Sequence, residues 1–300
     1  MKKKRRVSFL LVTTIFFFSV LACVYLFLAL TEVAVFPPKS KRYRPPIREK
    51  RVLKTNITPA SEPQRDSRVK DKESDRPIIS IVIDDLGHNI SLGLEFIRLD
   101  LPLSLAILPS APHTDALVRE AARKGLEVML HQPMEPKDYP CVNPGPGALL
   151  LSMNARELTE ILNKNLRQVP VARGMNNHMG SSFTESPEKM SLILHELKKK
   201  GLYYLDSRTT KKSVGLEQAK KLGVPAAERT IFLDNDPSPM AIGNQIEELI
   251  RVAQVSGAAI GIGHPYRETI EIIHKYEPTL KRKVRMVPVS ELIREKNRLF

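Results

Sequence analysis

The chain has 300 residues, with 47 Lys and Arg against 33 Asp and Glu, a net charge of +14, two cysteines and no tryptophan. That length suits one membrane segment plus one sizeable domain, and two cysteines without a CxxC pair exclude a disulfide framework and a zinc finger. The charge does not describe a basic domain seeking nucleic acid: 18 of the basic and 7 of the acidic residues lie in positions 1–76, which leaves only +3 on the rest.

Residues 1–6 form a basic end that is expected to stay cytoplasmic. Residues 7–30 are uncharged and mostly apolar, a run of 24. As a helix this run crosses a hydrocarbon core of roughly 30 Å. It also exceeds the apolar core of a cleavable signal, about 7–15 residues. An uncleaved transmembrane anchor is therefore expected, with the domain in the periplasm or otherwise outside the cytoplasmic membrane. Residues 31–76 are rich in Pro, Lys, Arg and Ser and poor in large apolar side chains, so they predict a disordered linker. The folded domain is expected over 77–300.

From residue 78 onward short apolar runs alternate with helix-period segments. Strands are predicted at 78–83, 103–108, 126–130, 170–175, 202–205, 230–233, 258–262 and 284–287. Helical spacing of apolar residues falls in 90–99, 113–124, 154–166, 187–200, 212–222 and 240–255. Ser186-Pro187 opens one helix with a cap followed by Pro in the first turn, and Gly201 stops it, while Gly125, Gly223 and Gly257 stop others. Seven or eight such units predict a β/α barrel. Residues 135–151, with Pro136, Pro140, Pro144 and Pro146, read as a loop inserted at the rim.

The ends of the apolar runs carry the chemistry. Asp84-Asp85 follows the first strand, His131 the third and Gly263-His264 a late one; Asn177-His178 lies in a polar turn after the weak run 170–175. Asp85, His131 and His178 on one rim would suit Zn²⁺ or another first-row divalent metal rather than Mg²⁺ or Ca²⁺. His264 is either a fourth ligand or an acid for a leaving amine. Asp206 either orients a histidine from behind or pairs with Arg208. His113 either caps a helix or binds substrate. His195 and His274 fall within helices and read as ordinary surface or packing residues. The absence of GxGxxG, GxxxxGK[ST] and GxSxG motifs argues against nucleotide binding and serine hydrolysis.

Six segments in order, Ile83-Asp-Asp-Leu-Gly87, Leu108-Pro-Ser-Ala-Pro-His113, Leu130-His-Gln-Pro-Met-Glu-Pro136, Asn176-Asn-His-Met-Gly-Ser181, Leu205-Asp-Ser-Arg-Thr209 and Gly261-Ile-Gly-His-Pro265, resemble the divergent polysaccharide deacetylase family. The resemblance implies an irregular seven-stranded β/α barrel with its site at the strand ends, and an exported or membrane-tethered protein. It implies Asp84 as general base, Asp85 as metal ligand and His264 as catalytic acid. Typical members of the superfamily take two His ligands from one motif after the third strand. Here that place reads His131-Gln-Pro-Met-Glu135, so the third ligand is either Glu135 or His178, with the imidazole preferred. The usual Arg-Pro-Pro stretch is absent, and Arg173 or Asn177 is expected to cover part of its role. The implied activity is metal-dependent removal of N-acetyl groups from an amino-sugar polysaccharide of the envelope. The rivals are a non-catalytic carbohydrate-binding scaffold and a peptide amidase.

Overall fold

Strands without a polar face must be covered on both sides, and here helices cover one side while the sheet curls to cover the other. The computed structural model describes residues 76–296. In chain order these form β1 (Ile78–Leu86), α1 (Ile90–Arg98), β2 (Ser104–Ile107), α2 (Thr114–Lys124), β3 (Glu127–Met134), α3 (Ala155–Gln168), β4 (Gly174–Met179), α4 (Pro187–Lys199), β5 (Tyr203–Asp206), α5 (Gly215–Leu222), β6 (Ala226–Glu228), β7 (Ile231–Phe232), α6 (Pro239–Ser256), β8 (Ala258–Gly263), α7 (Arg267–Lys283), β9 (Arg285–Met286) and α8 (Val289–Lys296). Helix starts follow their caps. The Asn154 side chain accepts from the backbone of Glu157, whose carboxylate reaches back, and Ser186 and Ser238 each cap a helix that begins with Pro.

All strand pairs are parallel, in the order β6-β5-β4-β3-β2-β1-β8-β7. Val82, Ala106, Met129, Leu205, Ala227 and Ile260 come from strands that are not all neighbours, yet they share one buried cluster. The sheet is therefore curled into a half-barrel. α8 contributes Val289, Leu292 and Ile293 to that interior and plugs the end where the strands begin. The larger cluster, with Ile79, Ile81, Ile83, Leu105 and Leu130, lies between the sheet and its helices.

The expected seven strands are corrected to eight in the ladder. β9 is an addition beside the first two residues of β1, where β2 has not yet begun. β6, only three residues long, carries no apolar run that sequence reading could detect. β4 begins four residues later than expected. Asn176, Asn177 and His178 therefore lie on a strand and not in a turn. The anchor over 7–30 and the linker up to residue 75 lie outside the described residues. Among the described residues no helix is long and apolar enough to cross a membrane.

Gly174 opens β4 because the ring of Tyr203 occupies the space a side chain would need. A Cβ there would stand 2.4 Å from a ring carbon. Tyr203 cannot swing aside, since its hydroxyl donates to buried Glu127 at 2.8 Å. Gly174→Ala is expected to cost about 1–3 kcal/mol, read as a lower urea midpoint with an unchanged slope.

Candidate metal centre

β1 delivers two adjacent carboxylates to one place because it does not end as a regular strand. Its register against β2 breaks between Ile83 and Leu86, and Asp85 has φ 55°. Asp tolerates this left-handed conformation better than most residues. Regular pleating would send neighbours to opposite faces. The bulge instead lets Asp84, in line with inward-facing Val82, and Asp85 both reach the interior side of the rim.

Asp85 Oδ1 stands 2.9 Å from His131 Nε2 and 2.7 Å from His178 Nδ1, and the two imidazole nitrogens are 3.2 Å apart. Ligands about 2.0–2.1 Å from a tetrahedral Zn²⁺ stand roughly 3.3 Å from one another. The triangle is thus a few tenths of an ångström smaller than a zinc-bearing one. A proton or a cation must lie inside it, because otherwise two nitrogen lone pairs and a carboxylate oxygen face each other. The donor set of two imidazoles and one carboxylate suits a first-row divalent metal. His131 is buried, whereas Asp85 and His178 are partly open, so the fourth side faces solvent.

Asn176 fixes which His131 nitrogen is offered. Its amide nitrogen donates to Asp84 Oδ1 at 2.8 Å and to Ser207 Oγ at 3.2 Å, which leaves its oxygen to accept from His131 Nδ1–H at 2.8 Å. Nε2 is then the atom turned toward Asp85. One buried amide so orients both a candidate ligand and the neighbouring carboxylate, the role such outer partners play in metal sites.

The electrostatics separate the two aspartates. Burial raises the pKa of Asp84. Burial also opposes charge on Asp85, but hydrogen bonds from His131 and His178 outweigh it and hold that carboxyl well below the usual range. Burial disfavours charge on His131 too, yet the carboxylates of Asp84 and Asp85 prevail and raise it to about 9.

His264 reaches the same rim from β8, which pairs with β1 so that Ile83 lies beside Gly263. Its Nδ1 donates to Asp234 Oδ1 at 2.8 Å, and Asp234 Oδ2 accepts from Thr269 Oγ1 and from the His264 backbone N–H. Burial lowers the basicity of His264, and the hydrogen bond and charge of Asp234 more than reverse it. Phe232 stacks on the imidazole with ring centroids 5.8 Å apart, and the Arg229 guanidinium lies over the Phe232 ring, 3.7 Å from its centroid.

Other expected residues lie elsewhere. Glu135 accepts from Leu151 N–H at 2.8 Å and pins the inserted loop, outside the ligand triangle. Asp206 points to the outer face. It accepts from Ser213 Oγ and from the backbone N–H groups of Arg208 and Leu216, and it orients no histidine. Its expected ion pair with Arg208 does not form either; that guanidinium meets Glu228. Asn177 holds the ends of β4 and β5 through Tyr204, Ser207 and Met179, and makes no bond to Asp84. Arg173 precedes β4, at the opposite end of the strand. His113 stands at the start of α2, but its ring caps nothing; its backbone donates to Gly87. Sequence reading missed Asn176, Ser207 and Asp234. For Asp234 the available signal was its place directly after the short strand that ends in Leu233.

The chain belongs to the divergent polysaccharide deacetylase family, whose pattern matches residues 81–293. It is 35% identical over 216 residues to an uncharacterised protein of Haemophilus influenzae, covering 72% of this chain and 76% of that one. It is 30% identical over 217 residues to the uncharacterised protein YibQ of Escherichia coli K12, covering 72% and 67%. Among solved structures, an uncharacterised protein of Agrobacterium tumefaciens C58 is similar at a TM-score of 0.69 and 28% identity, covering 72% of this chain and 89% of that one.

Proposed function

We propose that the chain is a metal-dependent hydrolase that removes N-acetyl groups from an amino-sugar polysaccharide of the cell envelope, tethered outside the cytoplasmic membrane by residues 7–30. The observation that carries this reading is the convergence of Asp85, His131 and His178 beside buried Asp84, with the His264–Asp234 pair on the adjoining strands. Bound there, a divalent metal, with Zn²⁺ preferred, would acidify a water and polarise the acetyl carbonyl. Asp84, the weaker acid of its pair, takes the proton from the attacking water. Asp85 stays anionic as a ligand. His264 gives a proton to the departing sugar amine as the C–N bond breaks, and acetate leaves. Asp234 holds His264 in place and favours its protonated form. A cleft of about 700 Å³ beside Asp234 and Tyr266 offers room for a neighbouring sugar ring.

The test uses purified full-length protein and N-acetylglucosamine oligomers. One metal ion per chain is expected, with acetate release that stops on chelation. His178→Ala is expected to lose both metal and activity. A chain that retains no first-row metal ends the reading. Metal without acetate release would favour the carbohydrate-binding scaffold, and cleaved peptides would favour the amidase.

Asp234→Asn is expected to lower turnover about 10–100-fold, the range for a partner that orients a functional imidazole. Metal content should not change, because Asp234 touches none of the three ligands.

A further inference from the structure

In a parallel β/α fold each helix ends where the next strand begins, so the last turns of the helices gather on one face. Those turns are basic in all the helices of the described barrel wall except α6. Arg98, Lys124, Arg167, Lys200, Lys220 and Arg282 are exposed there and make no ion pair among the described residues. The carboxylates of the same face are already held: Asp100 and Glu277 by Lys281, Glu120 by Arg123 and Glu196 by Lys199. Each cation complements the dipole of its own helix, but the topology sums them into one positive surface. The rim end is the reverse, with acidic first turns in α2, α3, α4, α5 and α7.

The described chain also starts at this positive face. β1 begins there, and Arg76 Nη1 donates to Lys281 O at the end of α7. The segment that precedes it carries most of the positive surplus of the sequence. A groove of about 1180 Å³ on the same face has Arg173 and Arg294 on its walls beside exposed Val171.

We infer that the end of the half-barrel where the strands begin is a docking surface for an anionic lipid bilayer, which turns the metal-site rim away from that bilayer. Charge complementarity and the entry of the chain on this face select lipid over other partners. The eight residues of β3 separate the two ends by roughly 25 Å at about 3.3 Å per residue. That exceeds a Debye length of about 8 Å at physiological salt, so the acidic rim does not cancel the attraction. The inference holds whether or not the site hydrolyses amides.

The test places a fluorophore on full-length protein carrying Cys23→Ser. The label sits either on native Cys141 in the rim loop or on Val171→Cys in a Cys141→Ser background. Vesicles carry a headgroup energy acceptor, with or without phosphatidylglycerol in phosphatidylcholine. With phosphatidylglycerol, strong transfer is expected from position 171 and weak transfer from 141, and high salt should abolish the difference. Each basic residue near an anionic surface strengthens association about fivefold, so Lys200→Ala with Lys220→Ala should weaken the lipid-charge-dependent part about 25-fold. Equal transfer from both positions, or indifference to phosphatidylglycerol, overturns the inference. So does a label at 171 that responds to a soluble acidic polysaccharide but not to the vesicles, which would assign the face to a wall polymer.

Discussion

Asp84→Asn is expected to lower acetate release by about 10²–10⁴-fold while the protein keeps its metal. The substitution is nearly isosteric, and an Asn oxygen at this position can still accept from Asn176 Nδ2, so the Asp84–Asn176–His131 arrangement survives. What disappears is the carboxylate proposed to take a proton from water. The metal is expected to stay, or to bind more tightly, for an electrostatic reason. Asp84 lies 3.8 Å from His131 Nε2 and favours the protonated imidazole, which competes with a metal for that nitrogen. Removing the charge weakens the competitor without removing a ligand. Acetate release measured alongside metal content separates base from ligand. Loss of metal in Asp84→Asn would mean that Asp84 ligates, and full activity would mean that it is not the base.

Much of the scaffold was legible because buried parallel strands leave a plain mark. Residues 78–83 and 258–262 have no charged position, as strands covered on both faces require. α2, α4, α5 and α6 were legible through a cap or a glycine stop, whereas α7 has neither a side-chain cap nor a glycine at its end. What sequence reading lost were elements whose residues are fixed by distant partners. Asn176 is fully buried on β4, yet by composition it belongs in a turn. Its polar atoms are satisfied by Ser207, His131 and Asp84, which lie 31, 45 and 92 residues away in the chain. β6 escaped because three residues at an open seam need no apolar run, whereas β7 lies within the strand expected over 230–233.

The site was legible in its residue types more than in its geometry. Asp85, His131 and His178 stand out as metal-type residues near strand ends, but their convergence depends on the bulge at Asp85 and on the true start of β4. Neither leaves a mark in composition. Which of Glu135 and His178 lies beside His131 is set by where the chain turns after β3. Glu135 folds back to Leu151 and pins the loop, while the register sets Pro133 beside His178 and brings that imidazole alongside His131. The same argument explains the misreading of Asn177. Its side chain lies on the opposite face of β4 from Asn176, so one position along a strand separates a scaffold residue from one that orients the site.

Metal affinity is expected to rise about tenfold per pH unit between roughly pH 7 and 8.5, and to level off near pH 9. The reason is the proton that the raised pKa of His131 keeps in the proposed ligand triangle when no metal is bound. His131 is raised to about 9 in the metal-free protein, so over this interval metal must displace that proton from Nε2. The stability of the metal-free protein should run the other way. A histidine whose folded pKa lies above its unfolded value of about 6.5 stabilises the fold fully below that value, and the contribution is lost as pH rises toward 9. Urea midpoints in the presence of chelator are therefore expected to fall across pH 6.5–9, while the stabilisation conferred by a fixed Zn²⁺ concentration grows. Asp84→Asn is the internal control. With one carboxylate gone, His131 should release its proton at lower pH, and the plateau of metal affinity should move down with it. A zinc titration by competition with a chelating dye, at several pH values and for both proteins, reads this directly. Affinity that does not change with pH would mean that no proton occupies the triangle, and that the three donor atoms are held together by something other than the charge of His131.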